Sequence, residues 1–170
     1  MDLTKEYPRS ALERFAGVVM APRTTDKCRA HLQGTLGEYM YNCGLDRQLF
    51  GFLGTNADEF ADVVKQAHDD SDVEAFVRQK VAGKSPEELE AFNREFFDYE
   101  PDLSRDAYQG QREALARRAP GRTDLTLWIH LTDIEEGRPV PTPEEVRAFK
   151  EQLLQPAGAT AQSQVLSPKS

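Results

Sequence analysis

Apolar side chains recur every three or four residues along this chain, between residues that start and stop helices. The stripe that follows Asn56 consists of Ala57, Phe60, Ala61, Val64 and Ala67. This spacing places apolar side chains on one face of a helix, and that face has to be buried against another element. The pattern therefore predicts an all-α fold, a compact bundle of about seven to nine short helices.

Helix start signals lie in both halves of the chain. Ser85 is followed by a proline and then by a glutamate three positions on, and Thr142 begins the same pattern. A capping side chain, a proline in the first turn and a capping-box glutamate together mark a helix N-terminus. Ser10 with Glu13 forms a similar signal, and the apolar residues behind it predict a helix as far as Val19.

The next stretch predicts two helices separated by an irregular turn. Pro22 interrupts the first predicted helix, and Thr24 or Thr25 caps a second helix that ends where the segment Gly34–Gly44 begins. That segment has three glycines with two tyrosines between them, which is typical of neither a helix nor a strand. Asp46 is then expected to cap another short helix.

The segment Asp124–Glu136 fits two periodicities. Between Leu125 and Leu131 the apolar residues alternate as they do in a strand, but Leu127, Leu131 and Ile134 also share a helical face. No other part of the sequence supplies a partner strand, and an isolated strand is not stable. We therefore favour a helix for Leu125–Ile134.

The length of 170 residues suits one domain. We predict a single helical domain over residues 1–154. Residues 155–170 are rich in Ala, Gln, Ser and Pro and carry one charge, Lys169. Such a composition buries too little apolar surface to order itself, so these residues are predicted to form a disordered, flexible tail.

Charge and cysteine content restrict the location and the partners. A net charge of -8 opposes binding to a nucleic-acid backbone. The longest apolar stretch, Phe15–Ala21, is too short to cross a bilayer, and the charged residues near Met1 do not form a signal peptide. Cys28 and Cys43 are therefore expected to be reduced thiols in the cytoplasm. Nothing in the sequence indicates a cofactor.

Cationic residues in the second predicted helix form a candidate anion site. Arg23, Lys27 and His31 lie four residues apart, so a helix presents them on nearly the same face. Two interpretations are open: an anion-binding face, or a solvated face on which Asp26 relieves the repulsion between the cations. We favour the solvated face, because no phosphate-binding loop accompanies it.

The tyrosine-rich segment contains a candidate nucleophile. Cys43 immediately precedes a predicted helix, whose free N–H groups would favour a thiolate. His31 would then serve as the base, oriented by Asn42 or Asp46. The alternative, which we favour, is structural: Asp46 caps the helix, Asn42 holds the turn, and the tyrosines fill space. Cys28 and His31 also have a chelating spacing, with Cys43 as a third ligand if the loop folds back, but such residues usually serve packing, so no metal site is predicted.

Two stretches of the sequence resemble a known family. The first runs from Ala21-Pro22-Arg23 through Gly34-Thr35-Leu36-Gly37-Glu38-Tyr39 to Phe52-Leu53-Gly54, and the second from Ala119-Pro120-Gly121 to Gly137-Arg138-Pro139. Over residues 1–154 the chain is similar to a bacterial family of uncharacterised proteins known only as a domain of unknown function. The resemblance implies no reaction, substrate or cofactor. It does imply that both stretches share one surface, with a pocket lined by Arg23, Asp26, Lys27, Tyr39, Asn42, Asp46, Asp124 and Trp128.

Three functions are therefore considered. The first is a small helical binding or regulatory module for a protein or an anionic small molecule, with a groove or an exposed apolar patch beside the tyrosine-rich segment. The second is an enzyme centred on Cys43 or on Asp26 and Lys27, which would require a deep pocket with a strongly shifted pKa. The third is a structural homo-oligomer. We favour the first, and with it the view that the chain is not an enzyme.

Overall fold

The computed structural model of the protein describes residues 1–155. These residues form eight α-helices and one pair of short strands. In chain order the elements are β1 (Arg14–Phe15), β2 (Val18–Val19), α1 (Ala21–Gln33), α2 (Gly44–Leu53), α3 (Ala57–Gln66), α4 (Asp70–Val81), α5 (Pro86–Phe97), α6 (Gln109–Arg118), α7 (Trp128–Glu135) and α8 (Pro143–Leu154), and a short 3-10 helix (Asp106–Tyr108) directly precedes α6. The prediction of a mostly helical chain with seven to nine short helices is confirmed. No helix within the described residues has both the length and the apolar character needed to cross a bilayer.

The chain divides into two compact units. The first, Met1–Lys84, contains the strand pair and α1 to α4, and the second begins at Ser85 and contains α5 to α8. The single domain over residues 1–154 stays a prediction. The predicted flexible tail lies outside the described residues, apart from Gln155.

The predicted helix from Ser10 to Val19 is wrong. Arg14 pairs with Val19 and Phe15 with Val18 in an antiparallel hairpin. Its two-residue turn consists of Ala16 and Gly17, which have φ angles of 48° and 84°. Two consecutive positive φ angles match the right-handed twist of a two-residue hairpin and cannot occur inside a right-handed helix.

The second predicted helix begins earlier than its threonines indicated. Met20 precedes α1 with a φ of 67°, and Pro22 lies in the first turn, where its missing N–H costs nothing. Thr24 and Thr25 are therefore internal residues of α1, not caps. The predicted end at Gly34 is confirmed, because Gly34 adopts the left-handed conformation and donates its N–H to the last carbonyl groups.

Helix α1 is buried on almost every side. Nine of its 13 residues are buried, although its sequence is polar. The large side chains of the same unit that are almost fully buried are Val18, Val19, Met20, Leu49, Phe60, Val73 and Val77. A helix surrounded in this way has to satisfy its polar side chains within the protein.

Three predicted helix starts, at Asn56, Ser85 and Thr142, are confirmed, whereas α4 is capped by Asp69 and not by Ser71 or Asp72 as its sequence had predicted. Asn56 accepts hydrogen bonds from two N–H groups at the start of α3. Ser85 and Thr142 form capping boxes at α5 and α8, each with a proline in the first turn. The favoured helix in the segment Asp124–Glu136 is confirmed from Trp128 onward, and the residues before it are not helical. The core cluster of the second unit consists of Ala114, Ala119, Leu125, Leu131, Ile134 and Val146.

Candidate functional site

A buried ion pair joins α1 to α2. The Lys27 ammonium lies 2.7 Å from one Asp46 carboxylate oxygen and 2.8 Å from the other. Only 4% of Lys27 and 0% of Asp46 is exposed to solvent. The Thr24 hydroxyl donates a further hydrogen bond of 2.9 Å to Asp46, and the Cys43 backbone N–H donates another. The carboxylate therefore has three donors: Lys27, Thr24 and Cys43. Because burying a single charge is costly, each charge in this pair requires the other.

Asp46 lies one turn inside α2 and is not its N-cap, contrary to the prediction. Cys43 is the N-cap, and its backbone N–H donates to the Asp46 carboxylate at 3.1 Å. The preceding residue, Asn42, has a φ of 62° and turns the chain into the helix. Its carbonyl accepts a hydrogen bond of 2.8 Å from Arg47.

The half-buried Cys43 thiol contacts a lysine. The Lys27 ammonium lies 3.6 Å from Cys43 Sγ and 3.4 Å from the Met40 carbonyl oxygen. The predicted base, His31, is exposed and stacks on the Tyr41 ring with the centroids 5.2 Å apart. The described contacts therefore give Cys43 a cationic neighbour and no contact with His31.

The second cysteine lies in a different environment. Cys28 is fully buried within α1, and this burial raises the pKa of its thiol to about 11. Burial likewise raises the pKa of the neighbouring Tyr41 hydroxyl, which donates a hydrogen bond of 2.7 Å to the Ala57 carbonyl. Neither group is ionised near neutral pH. Within residues 1–155, no three His, Cys, Asp or Glu side chains are grouped so that they could hold a metal ion.

A charge network fixes the N-terminal segment on α1 and α4. The Arg9 guanidinium donates two hydrogen bonds to Asp26, at 2.7 and 2.9 Å, and the Arg9 backbone N–H donates a third at 2.8 Å. Arg9 also lies 2.6 Å from Asp70, and Arg29 approaches Asp70 at 2.7 Å. Burial disfavours the charged Asp70, but the hydrogen bonds from Arg9 and Arg29 outweigh it and lower the pKa of this carboxyl. A wide hollow of about 620 Å³ adjoins Asp70 and Arg29, whose charges are already paired.

Arg23 links this network to the tyrosine-rich segment. It is 5% exposed, and its guanidinium donates a hydrogen bond of 3.0 Å to the Arg9 carbonyl. The same guanidinium lies over the Tyr39 ring, 5.6 Å from its centroid. The solvated cationic face expected for Arg23, Lys27 and His31 is therefore wrong for the first two, because both are buried and bonded within the first unit.

A groove lies where the N-terminal segment meets the tyrosine-rich segment. Its volume is about 430 Å³, and residues 3–7 and 37–39 form its two walls; we call it the N-terminal groove. The Leu3 N–H donates to the Thr35 carbonyl at 2.9 Å, which ties the walls together. Gly37 has a φ of 60°, and a Cβ at this position would lie 2.8 Å from the Leu3 carbonyl oxygen. Only glycine allows the two backbones to approach this closely.

The groove walls present aromatic and acidic side chains to solvent. Tyr7 is 56% exposed, which is unusual for so large a side chain, and Tyr39 is half-buried over Arg23. Glu6 and Glu38 are both exposed. Met40, which follows Tyr39, is also exposed. The groove is therefore open to solvent and presents one exposed ring, Tyr7, and two exposed carboxylates.

The candidate residues do not all lie in the same unit. The first unit brings together Arg23, Asp26, Lys27, Tyr39, Cys43 and Asp46, with Asn42 beside Cys43 and His31 exposed on the last turn of α1. Asp124 and Trp128 belong to the second unit. There Asp124 pairs with Arg122 at 2.7 Å, a hydrogen bond that lowers the pKa of Asp124 to about 2. Trp128 is mostly buried, and its backbone N–H donates to the Tyr99 carbonyl at 2.8 Å.

Comparison with protein-family models gives a match over most of the chain. Residues 5–138 match the family model described as a domain of unknown function (DUF5069). The chain belongs to this family. The match includes all ten candidate residues and extends into both units, so the predicted membership of a family known only as a domain of unknown function is confirmed for residues 5–138; its bacterial origin stays a prediction. A search of curated proteins found no match.

Sequence reasoning missed several residues of the site. Arg9 lies in no recognisable sequence motif, and Asp70 is distinguished only as one of two adjacent acids at a helix start. The groove residues Tyr7 and Glu38 are ordinary surface residues by type. The one available signal was Gly37, since a glycine in a loop can mark a positive φ or a close backbone approach.

Proposed function

We infer that this protein is a small binding module that holds a segment of a partner protein in the N-terminal groove. The observation that carries the proposal is an exposed groove of about 430 Å³ with tyrosines in both walls. Tyrosine is enriched at protein interfaces because it offers a large apolar area together with a polar hydroxyl. A volume of this size suits a few side chains of a peptide.

The contacts favour a protein over an anionic small molecule. An anion would require free cationic groups, but Arg23 donates to the Arg9 carbonyl and Lys27 pairs with Asp46. Lys5, at the groove, already pairs with Asp2 at 2.8 Å. Releasing any of these cations would break a bond that the fold uses. The exposed Tyr7 ring, in contrast, is available without rearrangement.

The proposal can be tested with peptide ligands selected from a random library. Short peptides displayed on phage are panned against the full chain, and the selected peptides are synthesised. Their affinities are measured by fluorescence polarisation, and their binding site is mapped by amide chemical shifts. We expect the shifts to concentrate in residues 3–7 and 37–39.

Matched glycine variants test the location. Gly37→Ala places a Cβ against the Leu3 carbonyl, whereas Gly83→Ala adds a Cβ in open space at ordinary φ. The selected peptides should bind wild type and Gly83→Ala equally and Gly37→Ala at least several-fold more weakly. Tyr7→Ala, an exposed change that leaves the backbone intact, should weaken binding as well. Equal binding to all four proteins, or shifts confined to other residues, would refute the proposal.

An enzyme remains the second candidate, because Lys27 Nζ lies 3.6 Å from Cys43 Sγ at the start of α2. A cysteine at a helix N-terminus beside an ammonium has the surroundings typical of a nucleophilic cysteine. The half-buried position of Cys43 allows a reagent to reach it. The buried Lys27–Asp46 pair would then position the ammonium and would not itself bind substrate.

A homo-oligomer is the third candidate, with a second copy of this chain as the partner. Leu32 and Met40 are 44% and 66% exposed, so the first unit has apolar side chains that an interface could cover. Light scattering over a concentration series should give a constant mass of 19.2 kDa if this candidate is wrong. We also propose a bacterial cytoplasmic location. The two free thiols and the resemblance to a bacterial family support it.

A further inference from the structure

The charges at the N-terminal groove are unequal. Lys5 is neutralised by Asp2, whose hydrogen bonds with Lys5 and Thr4 lower the pKa of the Asp2 carboxyl to about 2. Asp2 is therefore ionised throughout the ordinary pH range, and the pair has no net charge. The two other charged residues that line the groove, Glu6 and Glu38, are acidic. The groove therefore has a net negative charge.

The two glutamates differ in whether their carboxylates already accept a hydrogen bond within the protein. A Glu6 carboxylate oxygen accepts the Asp2 backbone N–H at 3.0 Å, so Glu6 has a structural task within the N-terminal turn. The Glu38 side chain makes no hydrogen bond or ion pair with any other described residue. Glu38 is thus a carboxylate at the groove that can accept a bond from a ligand without losing one.

The tyrosine rings, like the negative charge of the groove, favour a positively charged ligand. The electron-rich face of a tyrosine ring attracts cations, and Arg23 already lies against the Tyr39 ring at 5.6 Å. Tyr7, in the opposite wall, is 56% exposed, and no cation within residues 1–155 lies over its ring. The groove therefore offers a carboxylate and an exposed aromatic ring, the two groups that bind lysine and arginine side chains in proteins.

We propose that the partner places a lysine or arginine side chain in the N-terminal groove, against Tyr7 and paired with Glu38. This inference rests on the proposed function and specifies the chemistry of its ligand. An acidic side chain would meet Glu6 and Glu38, and like charges at an interface disfavour a wrong partner. A purely apolar side chain would remove water from Glu38 without replacing the lost hydrogen bonds. A cationic side chain avoids both costs.

The test uses amino-acid derivatives as probes of the full chain. N-acetyl-lysine methylamide and N-acetyl-arginine methylamide are titrated against the labelled protein, and amide chemical shifts are recorded. N-acetyl-norleucine methylamide, which matches the lysine stem without its charge, and N-acetyl-glutamate methylamide serve as comparisons. We expect saturable shifts in residues 3–7 and 37–39 for the two cations, weaker binding for norleucine, and none for glutamate. Added salt should weaken the cations alone.

Charge-removing variants identify the carboxylate. Glu38→Gln should weaken lysine binding about two- to fivefold, the range expected of an exposed ion pair. Glu13→Gln is the matched control, because Glu13 is an exposed glutamate of the same unit away from the groove lining. It should leave the affinity unchanged. Tyr7→Leu keeps apolar area while removing the aromatic face, and should weaken lysine binding about two- to fivefold as well.

Failure of this inference is separable from failure of the proposed function. If selected peptides bind the groove but lack lysine and arginine, or if norleucine binds as tightly as lysine, the cationic ligand is wrong and the binding module stands. If no peptide shifts residues 3–7 or 37–39, both are wrong. An unchanged lysine affinity in Glu38→Gln also overturns the inference, since it removes the carboxylate from recognition.

Discussion

Replacing Lys27 with methionine should destabilise the first unit strongly. Methionine keeps much of the volume of the stem but removes the ammonium that pairs with Asp46. The carboxylate would then remain buried with only the Thr24 hydroxyl at 2.9 Å and the Cys43 N–H at 3.1 Å. Water cannot compensate for the loss, because Asp46 has no exposed surface. The variant therefore isolates the cost of an unpaired buried charge.

The magnitude follows from this burial. Removing one partner of a buried ion pair costs about 3–5 kcal/mol, whereas an exposed lysine replacement stays within about 0.5 kcal/mol. Lys65 is an exposed lysine near the end of α3, so Lys65→Met is the matched control. The double variant Lys27→Met with Asp46→Leu removes both charges. The double variant also loses the hydrogen bonds that Asp46 accepts from the Cys43 N–H and the Thr24 hydroxyl. Together these losses should lower the free energy of unfolding by about 1–3 kcal/mol.

Urea unfolding followed by far-UV circular dichroism measures these free energies. Because the chain has two units, hydrogen exchange of the α1 amides supplies a local measurement of the first unit. We expect the double variant to be more stable than Lys27→Met alone. A loss below about 1 kcal/mol in Lys27→Met, or a double variant less stable than the single one, would refute the view that the pair is an obligatory buried unit.

Three further predictions concern the backbone, pH dependence and thiol reactivity. Gly44 is the first residue of α2 and follows Cys43 in extended conformation, so Gly44→Pro should raise the free energy of unfolding by about 0.4–1 kcal/mol; a lower urea midpoint would contradict this. The pKa of Asp70 is lowered in the folded chain, so its stabilising contribution is present above the unfolded pKa near 3.8 and is lost as pH falls through the folded value. The stability difference between wild type and Asp70→Asn should therefore shrink from pH 7 to pH 3, and a constant difference would exclude the mechanism. In the folded chain at neutral pH, a maleimide should modify Cys43 well before Cys28, which is buried with a pKa raised to about 11; comparison of Cys43→Ser with Cys28→Ser identifies the labelled thiol, and equal rates would contradict the environments described.

The sequence predicted correctly those features that depend only on residues close together in the chain, such as helix caps. The caps at Asn56, Ser85 and Thr142 are correct because each involves side chains and N–H groups within one turn. The N-terminal hairpin could not be found in the same way. Its apolar residues also fit a helical face, and the deciding feature is the positive φ of Ala16, which no side-chain pattern reveals.

The burial of α1 could not be predicted from sequence for a different reason. Its charged residues have the composition of a solvated face, and their partners are distant: Asp26 pairs with Arg9, 17 residues away, and Lys27 with Asp46, 19 residues away. Charge pairing over such separations depends on the completed fold. The structure brings most of the candidate residues of the first unit close together, but Arg23, Asp26 and Lys27 are buried and paired and not solvated.

These buried charges have a geometric consequence for the groove. Asp26 holds Arg9 by both its side chain and its backbone N–H, which fixes the chain two residues after Tyr7. Arg23 bonds the carbonyl of the same Arg9 and lies against the Tyr39 ring in the opposite wall. One turn of α1 therefore positions both walls. Hydrophobic replacements of buried ion pairs often maintain stability but cannot reproduce directional bonds of this kind. The charges of Arg23 and Asp26 are thus better explained by the rigid spacing of the two groove walls than by any net contribution to stability.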